Sequence, residues 1–195
     1  METKNNNTFL KFNPISKAIY GYLILIFGII ILTWLFSDSV FKNELIHSTM
    51  EAAGAVVSLI IAILILILRQ KNQIDLRYSW VANGFISMGI LDILHASVAP
   101  GNIFVWLHSI AVLSGGIFFA MVWLPQQITG TSRNQYLSKT VAIFYIFFSV
   151  FSVLFPQLLP LMLIQGKFTL AARLLNIIGG LLFLSAFIHF IYRFK

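Results

Sequence analysis

The chain has 195 residues, 59% of them hydrophobic, 10% charged and none of them cysteine. No soluble core of this length buries so much apolar surface, so composition implies an all-α, polytopic integral membrane helix bundle; the missing cysteines exclude disulfides, thiolate metal ligation and thiol redox sensing. The formal charge of +7 does not indicate nucleic acid, because the basic residues stand at helix ends without a clustered basic face.

Residues 1–18 are polar and basic and are expected to form a cytoplasmic segment ahead of a transmembrane domain covering 19–195. No small-residue cleavage site follows the first apolar run, so it reads as a retained span. Six segments are long enough to cross about 30 Å of hydrocarbon. They are Ile19–Phe36, His47–Leu68, Tyr78–Val98, Ile103–Leu124, Thr140–Phe155 and Leu170–Tyr192. SDSVFKNEL, RQKNQIDLR, APGN and PQQITGTSRNQYLSK break them. After the fifth, PQLLPLMLIQGKF stays apolar but carries two prolines, as an interfacial or re-entrant piece would.

Orientation follows the Lys and Arg residues. With the amino terminus inside, the inner side receives Lys4, Lys11, Lys17, Arg69, Lys71, Arg77, Arg133, Lys139, Arg193 and Lys195, and the outer side only Lys42, Lys167 and Arg173. Ten against three predicts an N-in, C-in topology. The chain stops at HFIYRFK as the sixth helix leaves the membrane, as a natural terminus or a module of a longer polypeptide would.

Ionisable groups are costly in hydrocarbon, and those present are usually paired, water-lined or functional. His47, Glu51, Asp92, His95 and His108 lie inside or at the edges of the apolar segments. The pairs His47/Glu51 and Asp92/His95 have helical spacing, so each shares a helix face. The predicted topology brings all five to the outer side. There Glu51, Asp92, His95 and His108 are expected within a sphere about 8 Å across, the size of one ion and its supporting groups, with His47 at its rim.

Three imidazoles and two carboxylates suit Zn, Cu or Fe. Asp92 is placed to hold the far nitrogen of His95. Asn176, about a turn and a half into the sixth helix, is a candidate ligand-binding residue. The plain alternative is interhelical hydrogen bonding. Haem is a further alternative, with His95 facing His108 across a flat cavity. His189 falls near the inner end and reads as interfacial. Gly54, Gly84, Gly89, Gly115–Gly116 and Gly179–Gly180 suit close helix packing. Trp34, Trp80, Trp106 and Trp123 lie near span ends, as in an interfacial belt. There is no phosphate loop, nucleophile elbow or triad spacing, and no charge ladder through the bilayer such as a pump or channel would carry.

HSTMEAAGAVVSL, MGILDILHA, FVWLHSIAVLSGGIFFAMVWLP and GKFTLAARLLNIIGGLLFL together resemble the bacterial membrane-associated sensor (MASE-type) domains. Such domains precede histidine kinase, PAS or diguanylate cyclase modules. The resemblance maps the family's His/Glu, Asp/His and Trp-Leu-His elements onto His47, Glu51, Asp92, His95 and His108. It implies an inner-membrane sensor that dimerises through, and signals to, a cytoplasmic output domain. The membrane module would not itself be the enzyme. The expectation is thus a sensor binding a metal ion or metal-held ligand. A metal-dependent intramembrane hydrolase, with zinc-bound water as nucleophile and Glu51 or Asp92 as base, is the enzymatic alternative.

Overall fold

The computed structural model describes residues 20, 21, 24, 27, 28, 31, 44–125 and 134–193. They fall into two units, 1–43 and 44–193. In the first the described residues are helical. The expected amino-terminal segment, most of the first expected span and the loop that follows it lie outside the described residues.

Among the described residues the larger unit has five long helices: α1 (Glu44–Gln70), α2 (Tyr78–Ser97), α3 (Asn102–Ala120), α4 (Asn134–Leu154) and α5 (Leu170–Arg193). Four of them, α1, α3 with its continuation to Trp123, α4 and α5, are long and apolar enough to cross a membrane. Their outward faces are rich in large apolar residues such as Val57, Ile60 and Leu64 of α1 and Phe144 and Phe147 of α4. This is the pattern of a multi-pass membrane protein, in which lipid replaces water as the solvent of the outer surface.

The expected third span corresponds to α2, which does not reach that apolarity. The reason is its position: α2 packs against α1, α3 and α4. Ser79, Asn83, Ser87 and His95 are all buried on it. A helix covered by protein need not present an apolar surface, and the polar content of α2 reflects these neighbours. At 20 residues it is about 30 Å long.

The ends of the helices are set by local chemistry. Asn72 takes the left-handed conformation, φ 54°, and the amides of Asn72 and Gln73 return to the carbonyls of Arg69 and Leu68. This is the paired bonding that stops a helix at an αL residue, and it ends α1. α4 begins at Asn134, ahead of the expected Thr140, because the polar run NQYLSK is helical as well. The stretch after α4 is not a re-entrant helix. Pro156–Leu158 form one 3₁₀ turn, and Leu163–Ile164 pair with Lys167–Phe168 in a two-stranded hairpin, β1 and β2. Gln165 and Gly166 at its tip both have positive φ, as a two-residue hairpin turn demands. Asn102 fastens this stretch: its Nδ2 donates to the Pro160 carbonyl at 3.0 Å, and its Oδ1 accepts from the Met162 amide.

Glycine allows two close approaches that position the site. A Cβ on Gly89 would stand 2.8 Å from Leu59 Cγ and 3.0 Å from the Ala55 carbonyl oxygen, so α1 and α2 come together one to two turns from His95. A Cβ on Gly179 would stand 2.7 Å from the Val112 carbonyl oxygen, which sets the α3–α5 contact. Gly54 and Gly180, expected to serve the same purpose, face open space.

Candidate metal and ligand site

His95 is the centre of the polar cluster. It lies in the last turn of α2, and its side chain is 1% exposed. The APGN link is too short to let α2 and α3 separate, so the first turn of α3 faces His95. There Nδ1 lies 2.7 Å from the backbone carbonyl oxygen of Phe104. The Phe104 ring packs on the imidazole, with centroids 3.7 Å apart.

That contact fixes the tautomer. A carbonyl oxygen only accepts, so Nδ1 carries the hydrogen and, in a neutral ring, Nε2 is a bare lone pair. Nε2 points at Glu51, 3.0 Å from Oε1 and 2.9 Å from Oε2. A lone pair facing a carboxylate at that distance is repulsive unless a proton, on the ring or on the carboxyl group, or a metal ion lies between them. Oε2 of Glu51 is buried and, among the described residues, makes no hydrogen bond.

His47, one turn before Glu51 on α1, brings its Nε2 to 3.1 Å from Oε1. One ligand atom from each of His47, Glu51 and His95 can be chosen so that all lie within 4.8 Å of one another. Ligands of a tetrahedral ion with bonds of about 2.0 Å stand about 3.3 Å apart. The two separations to Glu51, 3.1 Å from His47 and 2.9 Å from His95, need to open by a few tenths of an ångström, while the His47–His95 separation is bounded only by the 4.8 Å that spans the group. An Nδ1–H held by a backbone carbonyl is also the usual support of a metal-bound histidine.

Of the remaining expected residues, His108 lies beside His95, ring centroids 5.1 Å apart, and is half exposed. Asp92 stands 3.9 Å from His108 Nδ1, outside hydrogen-bond range. Its Oδ1 is buried without a partner among the described residues. Neither belongs to the group of three. The expectation that Asp92 steadies the far nitrogen of His95 is corrected: the Phe104 carbonyl does so, because that nitrogen faces α3. Haem between His95 and His108 draws no support, since Nδ1 of His95 faces the Phe104 carbonyl and Nε2 faces Glu51.

The three donors form one wall of a cavity of about 500 Å³. Phe104, Val105 and His108 of α3, Phe168 of the hairpin, and Ala172, Arg173, Asn176 and Ile177 of α5 complete most of the lining. Asn176 is held in place by donating to Ser109 Oγ and to the Ala172 carbonyl, both at 2.8 Å. Trp106 points elsewhere, its Nε1 bonded to Ser152 Oγ on α4. A mostly apolar hollow with a few converging polar groups is the usual form of a small-ligand site. Sequence reasoning did not anticipate two participants. The Phe104 carbonyl is backbone and leaves no mark in the sequence. Arg173 entered only as an outer-side charge, although a cation one turn into an apolar helix was a visible signal.

No family model, curated protein or solved structure matches the chain.

Proposed function

We propose that this protein is a six-span sensor module of a bacterial inner membrane, with both termini cytoplasmic, that binds a transition-metal ion or a ligand held by one near its outer face. His47, Glu51 and His95 are the protein ligands, with Zn, Cu and Fe the ions their chemistry suits. The observation that carries this reading is the wiring of His95: Nδ1 is committed to the Phe104 carbonyl, which leaves Nε2 turned toward a carboxylate and a second imidazole. The same wiring links α1, α2 and α3, so an ion there would favour one arrangement of these helices, which is the requirement for a signal. The resemblance to MASE-type domains is the ground for assigning the signal to a cytoplasmic output domain of the kinase or cyclase kind, through which the module would dimerise.

The native chain has no cysteine, so spin labels can be placed singly or in pairs. Labels at Leu68 and Met121, at the helix ends away from His47, His95 and His108, should change their distance distribution when Zn²⁺ is added, and should not in a His95→Ala background. An unchanged distribution despite bound metal removes the sensing role. Reporter fusions after Asn72 and Gly101 should read inside and outside. A cytoplasmic reading at Gly101 overturns the placement of the site.

One observation favours a second reading. Three protein ligands beside a 500 Å³ cavity leave a coordination position open, the arrangement of catalytic rather than structural zinc. A metal-dependent hydrolase acting on an amphiphile in that cavity would show metal-dependent turnover of ester or amide lipids in detergent, where a sensor shows binding alone.

A further inference from the structure

The cavity of about 500 Å³ beside the three donors carries a charge that the metal reading does not use, Arg173. It stands in the first turn of α5, where the positive end of the helix dipole disfavours a cation. Among the described residues its guanidinium has no hydrogen bond, ion pair or ring contact. Glu51, the one acid among the described residues of the lining, belongs to α1 and faces His47 at 3.1 Å and His95 at 2.9 Å.

Ser109 of α3 lines the same cavity and is fully buried. Its Oγ accepts from Asn176 Nδ2 at 2.8 Å, and among the described residues its own O–H has no acceptor. Buried polar groups are nearly always satisfied, so this hydrogen calls for a partner from the cavity. A hydroxyl and a guanidinium are thus two unused donors, and the charge on the second makes the fitting acceptor an oxyanion. Around them the wall is apolar: Phe104, Val105, Phe168, Ala172 and Ile177. Phe168 and Ile177 are each 57% exposed, so the rim is apolar too. The volume is that of a site for one small ligand. A small inorganic anion would leave these surfaces without a partner, whereas an apolar chain would bury them.

We propose that this cavity binds an amphiphile with an oxyanion head, the head on Arg173 and Ser109 and the apolar chain against Phe104, Val105 and Ile177. The proposal rests on the reading of this cavity as a ligand site, but the head needs no metal ion. Such a molecule can be a free fatty acid, with its carboxylate, or an anionic phospholipid, with its phosphate.

The test uses the full chain in phosphatidylcholine nanodiscs with EDTA present, so that metal ligation plays no part. Dodecanoic acid with a diazirine at its far end should photolabel peptides of α3 and α5. Dodecanoate should compete with it about tenfold better than dodecanol or dodecyltrimethylammonium, which keep the chain and remove or reverse the charge. Arg173→Gln should weaken that competition about tenfold, as the loss of a charge-assisted hydrogen bond does, and Arg173→Lys should recover part of it. Ser109→Ala should weaken it several-fold. Lys167→Gln, which removes the same charge outside the cavity lining, should stay within about twofold. Val105→Trp, which fills the cavity and alters no charge, should abolish labelling. Competition by dodecanoate and not by phosphatidylglycerol assigns the site to a free acid; competition by phosphatidylglycerol at the lower mole fraction assigns it to a lipid headgroup. Dodecanol competing as well as dodecanoate overturns the proposal, and so does a Lys167→Gln loss as large as that of Arg173→Gln. Zn²⁺ titration of the same protein without EDTA separates the two readings. Selective dodecanoate binding without metal binding removes the metal and leaves the amphiphile site, and metal binding with unselective labelling does the reverse.

Discussion

Nδ1 of His95 lies 2.7 Å from the carbonyl oxygen of Phe104, and this one contact decides what the rest of the cluster can do. It consumes the ring's only neutral-state hydrogen and turns a lone pair onto Glu51. His95→Ala removes that lone pair and leaves Glu51 with His47 alone. We expect metal affinity to fall by more than the roughly 10–100-fold lost when only a supporting partner is removed. Isothermal titration with Zn²⁺ measures it. His108→Ala should cost far less, because His108 is not one of the three donors.

Glu51→Gln and Asp92→Asn separate the two carboxylates. Each keeps shape and removes the anion. Glu51→Gln should weaken metal retention strongly, since an amide is a poor ligand for a transition ion. Asp92→Asn should retain metal, because Asp92 stands outside the donor group and is nearest to His108 at 3.9 Å. Equal losses in titration would place Asp92 among the ligands.

Metal binding should be pH-dependent with a definite sign. A protonated imidazole cannot ligate, so protons compete with the ion and binding releases them. Affinity should therefore fall as pH is lowered. Titrations at pH 5.5 and 7.5 that give the same affinity would exclude histidine ligation.

The helix contact under the cavity should be sensitive to a single methyl-bearing side chain. Gly179→Val places Cβ 2.7 Å from the Val112 carbonyl oxygen, a backbone atom that cannot swing aside. Overpacking of this kind costs about 1–3 kcal/mol, so the melting temperature should drop. Gly180→Val, where nothing lies within 4 Å, should leave it nearly unchanged.

The sequence carried the helices and the meeting of His95 with His108, because apolar length and a four-residue link constrain both strongly. His47, Glu51 and their joint helix face were legible from a spacing of four. What was not legible depends on tertiary partners. α2 is more polar than a lone span because α1, α3 and α4 cover it. Asp92 sits three residues from His95, yet the nitrogen it was expected to steady faces a backbone carbonyl on the next helix. The hairpin after α4 looked like membrane-seeking sequence, and the Asn102 bonds that hold it against α3 join residues about sixty apart. Contacts of that range leave no periodicity to read.

The central claim is that His47, Glu51 and His95 hold a transition-metal ion. Elemental analysis of detergent-purified protein, with the visible spectrum recorded beside it, tests this most directly. We predict about one Zn, Cu or Fe per chain, absent from the His95→Ala protein and accompanied by no haem band. Protein that holds no stoichiometric metal as purified, and whose melting temperature is unmoved by added Zn²⁺, Cu²⁺ or Fe²⁺, would contradict it and leave the cluster as a hydrogen-bonded imidazole–carboxylate network.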